Sequence, residues 1–215
     1  MRDLCRSCET ALPWLIPAAL CQICGLQLRE IKAGVCGGCL RKPPAISRCV
    51  SLWDYRKDSA YLVQKLKFGQ NLLYARMLGE LLADRITAVY QAEPLPELIL
   101  PVPLHPRRLC TRGFNQSVEL GRFLQKTLGL PMSRDIVKRT RHSPPQTELA
   151  ATERRKNLRG AFTVTLPCPY QHVAILDDVI TTLSTCQELA KTLRRAGVVR
   201  VDVWSCIRTQ GDYRS

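Results

Sequence analysis

No apolar run in this chain is long enough to cross a bilayer. The longest candidate, Leu12 to Leu20, is nine residues with two prolines, against the roughly 20 a spanning helix needs. Its leader is short and nearly uncharged, Arg2 standing beside Asp3, and two cysteines precede it, so it reads as a loop inside a cysteine-rich module and not as a signal core. Neither GxxxxGK followed by Ser or Thr nor GxGxxG occurs, which weakens triphosphate hydrolysis and dinucleotide binding. Internal repeats and low-complexity segments are absent. Aromatic residues are scarce at 6%, a poor supply for stacking unpaired bases.

Acidic residues are also few: 18 against 32 Lys and Arg, a formal charge of +14. Such a surplus favours polyanions, whether nucleic acid, an anionic membrane or a highly phosphorylated small molecule, although a solvated basic face would give the same number. The surplus is concentrated, with 13 Lys/Arg and four Asp/Glu between residues 101 and 160. Cysteine, by contrast, is plentiful. Six of the 11 lie in the first 39 residues as CRSC, CQIC and CGGC. Paired CxxC knuckles are the pattern of a reduced, metal-binding segment, which places the chain in the cytoplasm. Four thiolates satisfy one tetrahedral zinc ion. Cys21, Cys24, Cys36 and Cys39 offer one suitable spacing, and Cys5, Cys8, Cys21 and Cys24 another. The scattered Cys49, Cys110, Cys168, Cys186 and Cys206 read as ordinary small residues.

After a stiff Lys42–Pro44 break, strand-like and helix-like stretches alternate. Strand candidates are 51–55, 98–103, a start at 136–137, and the runs AFTVT, HVAIL and VRVDVWSCI. Helices are expected over 59–68, 72–90, 116–128 (capped by Asn115, stopped by Gly129) and 185–196 (closed by Gly197), with a short basic one over 151–158. The stretch after 103 reads as a basic loop, and 139–148 as irregular. The alternation predicts an α/β fold with a mostly parallel sheet flanked by helices.

The densest chemistry is in HVAILDDVITTLST. An apolar run ends in Asp177 and Asp178, and the hydroxyls of Thr181, Thr182, Ser184 and Thr185 follow where a helix begins. Ligands of parallel sheets bind beyond the carboxyl ends of the strands. Hydroxyls and free N–H groups at a helix start suit a phosphate, and carboxylates one step earlier suit sugar hydroxyls or Mg²⁺. A cap from Thr181 or Thr182, with Asp178 steadying the first turn, would explain one or two of these residues but not all six.

AILDDVITTLST resembles the phosphoribosyl-pyrophosphate signature of type I phosphoribosyltransferases. With RGFNQ (Arg112 to Gln116), RRKNLRGAF (Arg154 to Phe162) and the CxxC pairs, nearly the whole chain resembles the ComF family of competence-associated, phosphoribosyltransferase-like proteins, including the GntX/YhgH-type DNA-utilisation proteins. The resemblance implies a zinc-ribbon-like module over 1–44 and a phosphoribosyltransferase-like domain over 45–215. It implies that Asp177 and Asp178 hold the ribose hydroxyls, directly or through Mg²⁺, and that the stretch Ile180, Thr181, Thr182, Leu183, Ser184 and Thr185 cradles the 5-phosphate. Arg107, Arg108 and Arg112 would neutralise the pyrophosphate, and Gln146, Thr147, Arg154, Arg155 and Asn157 would lie on a closing loop. Members often carry four CxxC pairs, and CRSCETALPW resembles the second. That favours Cys21, Cys24, Cys36 and Cys39 as structural zinc ligands, with Cys5 and Cys8 as alternates. The implied role is natural transformation: handling incoming single-stranded DNA beside uptake machinery such as a helicase or translocation channel, without membrane insertion. Phe114 and Phe123 are the aromatics in the region of the basic belt, Phe123 reading as a core residue, and Arg29, Lys32, Arg41 and Lys42 would add backbone contacts from the ribbon. An active phosphoribosyltransferase of nucleotide metabolism and a non-catalytic sugar-phosphate sensor are the alternatives. One position departs from the related TTGxT signatures: Leu183 stands where glycine would give positive φ, which leaves three outcomes open, a remodelled pocket, a more loosely held phosphate or a retired site, and bears on turnover more than on binding or fold.

Overall fold

The computed structural model describes residues 3–30, 33–69, 72–141 and 158–210. In chain order the elements are α1 (Arg6–Ala11), α2 (Gly37–Arg41), β1 (Arg48–Trp53), α3 (Lys57–Gly69), α4 (Leu72–Val89), β2 (Leu98–Pro101), α5 (Pro106–Arg112), α6 (Gln116–Leu128), β3 (Val137–Arg139), β4 (Phe162–Val164), β5 (His172–Ile180), α7 (Ser184–Arg195) and β6 (Arg200–Arg208). Four strands form a parallel sheet in the order β1-β6-β5-β2, and β3 pairs antiparallel with β4 in a separate ribbon. The expected α/β class with a parallel sheet and flanking helices is therefore observed.

The continuous apolar runs of the strands are explained by burial on both sheet faces. On one face Val50, Leu52, Ala174, Leu176 and Trp204 pack with Val63 of α3, Leu78, Leu82 and Ile86 of α4, and Leu120 and Leu124 of α6. On the other, Leu98, Leu100, Val173, Ile175, Val201 and Val203 pack with Leu189 and Leu193 of α7 and with Val137 and Phe162 of the ribbon. α4 and α6 approach closely because Gly79 has no side chain: a Cβ there would stand 2.7 Å from Phe123 Cβ. Phe123 is thus a packing residue, half-buried against the core.

Both sheet edges are covered, which suppresses pairing with other chains. Along β1, Leu15 N–H donates to Leu52 O at 2.9 Å, Asp54 N–H donates to Pro13 O at 3.0 Å, and Trp14 meets Trp53 edge-on with ring centres 5.4 Å apart. Along β2, Ile99 N–H donates to Pro131 O at 2.9 Å and Ser133 N–H to Ile99 O at 3.1 Å.

Two sequence expectations are corrected. The basic stretch after residue 103 is not a loop throughout. Pro106 at the first helical position and Gly113 at φ 80° bound the helix α5, and His105 Nδ1 accepts from Arg107 N–H at 3.3 Å. The first strand starts at Arg48, three residues before the alternating pattern at Ser51, because Ser47 N–H already bonds Val201 O at 2.7 Å. The expected basic helix over 151–158 and the closing-loop residues Gln146, Thr147, Arg154, Arg155 and Asn157 lie outside the described residues, apart from Leu158.

Candidate functional site

The carboxyl ends of β2 and β5 lie side by side, with Pro101 opposite Leu176 and Val102 N–H bonded to Leu176 O at 2.9 Å. The chain leaves β2 into α5, and Asn115 then pins the start of α6: Asn115 Nδ2 donates to Val102 O at 3.0 Å while its Oδ1 accepts from Ser117 N–H at 3.0 Å. This brings Ser117 to the acidic pair, where its hydroxyl donates to Asp177 Oδ1 at 3.2 Å. Asp177 Oδ1 also accepts from Asp178 N–H at 2.9 Å, and Asp178 Oδ1 from Val179 N–H at 2.8 Å. Asp177 is half-buried and Asp178 buried.

Ile180 is buried in the core, and the chain turns at once after it. Thr181 is exposed; Thr182, Ser184 and Thr185 are half-buried, and Thr182 and Ser184 share a hydroxyl hydrogen bond of 2.8 Å. Leu183 takes φ 60°, ψ 0° immediately before α7 and is the one non-glycine residue with positive φ among those described. Leucine thus takes the positive φ that it does not reach easily, and the turn backbone is not remodelled away from the left-handed region. The strain is offset because its side chain packs half-buried between the α7 core and Cys21, Cys24 and Cys39. The turn keeps its left-handed shape and gains an apolar anchor.

The arginines of α5 differ in placement. Arg107 and Arg108 are exposed, while Arg112 is half-buried. Burial and the neighbouring Arg108 cation push the Arg112 guanidinium below its ordinary value, with Asp178 opposing. Arg139 of β3 is buried; burial and Arg108 lower its pKa too, and Asp177 opposes. Arg112 and Asp178, and Arg139 and Asp177, are thus near enough for their charges to act on one another. Beside them opens a cavity of about 770 Å³, lined by His105, Phe114, Arg122, Arg134, Lys138 and Arg139 among others. The carboxylates stand next to this cavity and are not part of its lining.

The second cluster is metal-like. The sulfurs of Cys21, Cys24, Cys36 and Cys39 all lie within 4.8 Å of one another, and Cys24 Sγ is 3.7 Å from Cys36 Sγ. A tetrahedron with zinc–sulfur bonds of about 2.3 Å has edges of about 3.8 Å, so the set fits one ion. Cys36 N–H also points at Cys21 Sγ, 3.3 Å away. Hydrogen bonding among the thiols holds the Cys21 pKa low and, by the Cys21 contact first, pushes Cys24 up to about 12 and Cys39 higher still. The alternates Cys5 and Cys8 are exposed and outside this group.

Nearly the whole chain is matched by curated relatives. It is 37% identical over 210 residues to competence protein F of Haemophilus influenzae, covering 95% of this chain and 90% of that one. The chain belongs to the competence protein F family. Within the family it is also 38% identical over 208 residues to the DNA utilization protein YhgH of Salmonella typhi, across 96% of this chain and 90% of the other. No family model matches. Among solved structures, glutamine phosphoribosylpyrophosphate amidotransferase from B. subtilis, complexed with ADP and GMP, aligns over 61% of this chain and 25% of its own, at a TM-score of 0.40 and 17% identity.

Three residues of this competence protein F family member escaped the sequence reading. Ser117 sits within FNQS, one residue past the RGFNQ stretch. Arg139 is 38 positions from Asp177, and only the placement of the ribbon brings their charges together. Arg208 ends β6 and reaches both the cysteine cluster and the turn. Among the described residues, no helix is long and apolar enough to cross a membrane.

Proposed function

We propose that the protein handles incoming single-stranded DNA in the cytoplasm during DNA uptake and use, and that its sheet mouth binds phosphoribosyl pyrophosphate with Mg²⁺. The observation that carries this reading is the pairing of Asp177 and Asp178 with the left-handed, hydroxyl-bearing turn at Leu183, faced by Arg112 and Arg139. The adjacent carboxylates are hard oxygen donors suited to Mg²⁺ or a ribose diol. The turn offers hydroxyls and the start of the twelve-residue helix α7 to a phosphate. Structural zinc in Cys21, Cys24, Cys36 and Cys39 completes the assignment, and the names of the relatives support the DNA role.

Calorimetric titration with phosphoribosyl pyrophosphate and Mg²⁺ tests the pocket. The intact protein should bind, and Asp177→Ala/Asp178→Ala should weaken binding roughly a hundredfold or more, since two charge-assisted contacts are lost. Absence of binding by the intact protein would remove the pocket. The preserved turn at Leu183 also supports turnover, so the same ligand should be offered with purines and pyrimidines as acceptors; product would make the protein a phosphoribosyltransferase.

For DNA, Arg107, Arg108, Arg122, Arg134 and Lys138 are exposed on and beside the cavity rim. If these five meet phosphates, affinity for an unpaired strand should fall about a hundredfold between roughly 50 and 200 mM salt. A salt-independent affinity would rule out this surface.

A further inference from the structure

Arg208 is 2% exposed, yet it carries a permanent cation. Its partners are backbone carbonyls drawn from two separate places. Nε donates to Cys24 O at 2.8 Å, inside a cysteine knuckle. Nη1 donates to Thr181 O, the first residue of the hydroxyl turn, and to Thr209 O at 3.1 Å. The guanidinium fork is rigid and planar, so the knuckle carbonyl and the turn carbonyl are held at a fixed separation. Gly25, at φ 69°, lets the backbone come this close: a Cβ there would lie 3.1 Å from Cys49 Sγ and 3.6 Å from Arg208 Cγ. A parallel tie runs through Gln210, whose Nε2 donates to Gly25 O at 2.9 Å and whose Oε1 accepts from Gln27 N–H at 2.6 Å. On the apolar side, Leu183 lies between the α7 core and Cys21, Cys24 and Cys39. The same turn is therefore fastened to the cysteine cluster twice, by a polar strut at Thr181 and an apolar one at Leu183. A filled four-thiolate zinc site carries a net negative charge, which a buried cation one carbonyl away would offset in part.

We propose that Arg208 and Leu183 make the cysteine cluster a structural part of the anion-binding turn, so that metal occupancy sets the order of residues 181–186 and their affinity for a phosphate ester. Arg208 is in this role a positioning residue, acting through the turn. The proposal rests on the reading of that turn as a phosphate cradle. Site coupling of this kind commonly amounts to about 5- to 150-fold in affinity and is reciprocal.

The test compares amide hydrogen exchange across 179–187 in the full chain, metal-loaded and chelator-stripped, and in Arg208→Lys. A lysine keeps the charge but reaches one carbonyl at a time. Arg208→Lys should still hold one metal per chain while the 181–186 amides exchange roughly tenfold faster. The 173–176 amides of β5 should be unchanged, which separates positioning from general destabilisation. Affinity for phosphoribosyl pyrophosphate with Mg²⁺ should drop in parallel. Should Arg208→Lys fail to fold, Leu183→Gly removes the apolar strut alone, and the response of the turn to metal removal should shrink. Equal exchange of the turn in loaded, stripped and substituted protein would overturn the proposal. Failure of the intact, loaded protein to bind the sugar phosphate would instead remove the pocket reading, and the exchange measurement would still decide whether the metal orders the turn.

Discussion

Asp202→Ala should cost about 3–5 kcal/mol of stability, because it removes one member of a buried charge network and strands the rest. Asp202 is fully buried in β6. Its Oδ2 accepts from Tyr90 Oη at 2.7 Å, lies 2.7 Å from His172 Nε2 and 3.1 Å from Arg200 Nη2, while Oδ1 accepts from Arg200 Nε at 3.4 Å. Arg200 continues to Glu93 at 2.8 Å, and Glu93 also pairs with Arg48, whose guanidinium stacks 5.1 Å from the centre of the Tyr90 ring. Trp204 Nε1 donates to Tyr90 Oη at 3.3 Å. The network ties the amino ends of β5 and β6 to the end of α4, away from the acidic pair. An apolar replacement leaves a tyrosine hydroxyl, a histidine and an arginine to find new partners in the same space. Burial alone would raise the Asp202 pKa, but the hydrogen bonds from His172 and Tyr90 and the Arg200 cation outweigh it, and the net shift is downward. A carboxyl held below its unfolded value binds its proton first in the unfolded chain. Its contribution is complete above about pH 4 and is lost as the pH falls through the native value. Urea unfolding at neutral pH should show the full loss, with a melting temperature lower by on the order of 10 °C. The difference between parent and variant should narrow in acid. A change below about 1 kcal/mol at neutral pH would mean that the network contributes little.

Apart from the antiparallel pairing of β3 with β4 outside the main sheet, the fold is legible wherever the chain is apolar for several residues between turn signals. HVAIL, LIL and VDVW, short and bounded by turn signals, fit strands covered on both faces, and the helical stretches between them point to parallel pairing. α5 was missed because a seven-residue helix rich in arginine shows no apolar stripe, although Pro106 and Gly113 marked its ends. The acidic pair and the hydroxyls could be found as a string, since they are contiguous. Ser117, Arg139 and Arg208 could not, because the first two meet Asp177 and the third meets the turn through the fold and not through sequence neighbourhood. Leu183 shows how a local rule yields to tertiary packing. Read alone it argues against a left-handed turn. In place, its side chain has an apolar seat beside the cysteine cluster. Spacing alone left two ways of choosing four cysteines, and the fold brings one set together.

With zinc in the cysteine cluster as proposed, stripping it should have the largest effect of all, and the effect should extend beyond the cysteines. Apparent binding energies of structural zinc in small peptides are about 10–16 kcal/mol at neutral pH and count directly as folding energy. The segment around the cluster has little core of its own: beyond Cys21, Cys24 and Cys39, its apolar neighbours are half-buried residues such as Ile23, Leu26, Leu28 and Val35. Four thiols crowded together without a cation cannot all ionise, as the opposed shifts of Cys21 and Cys24 indicate. Chelation at neutral pH should therefore release this segment and make it sensitive to trypsin at Arg29 and Arg41, while circular dichroism still reports the sheet. The strip at Pro13–Leu15 is continuous with the released segment and caps the open edge of β1 through Leu52 O and Asp54 N–H. Freed, that edge becomes a template for pairing between chains, so light scattering should rise with protein concentration after chelation. Cys36→Ser should lower metal content below one per chain and reproduce both effects. Cys5→Ser/Cys8→Ser should leave metal content and protease resistance unchanged, because those thiols stand outside the cluster. A chelated protein as trypsin-resistant and monodisperse as the loaded one would show that the edge of β1 is held without the metal.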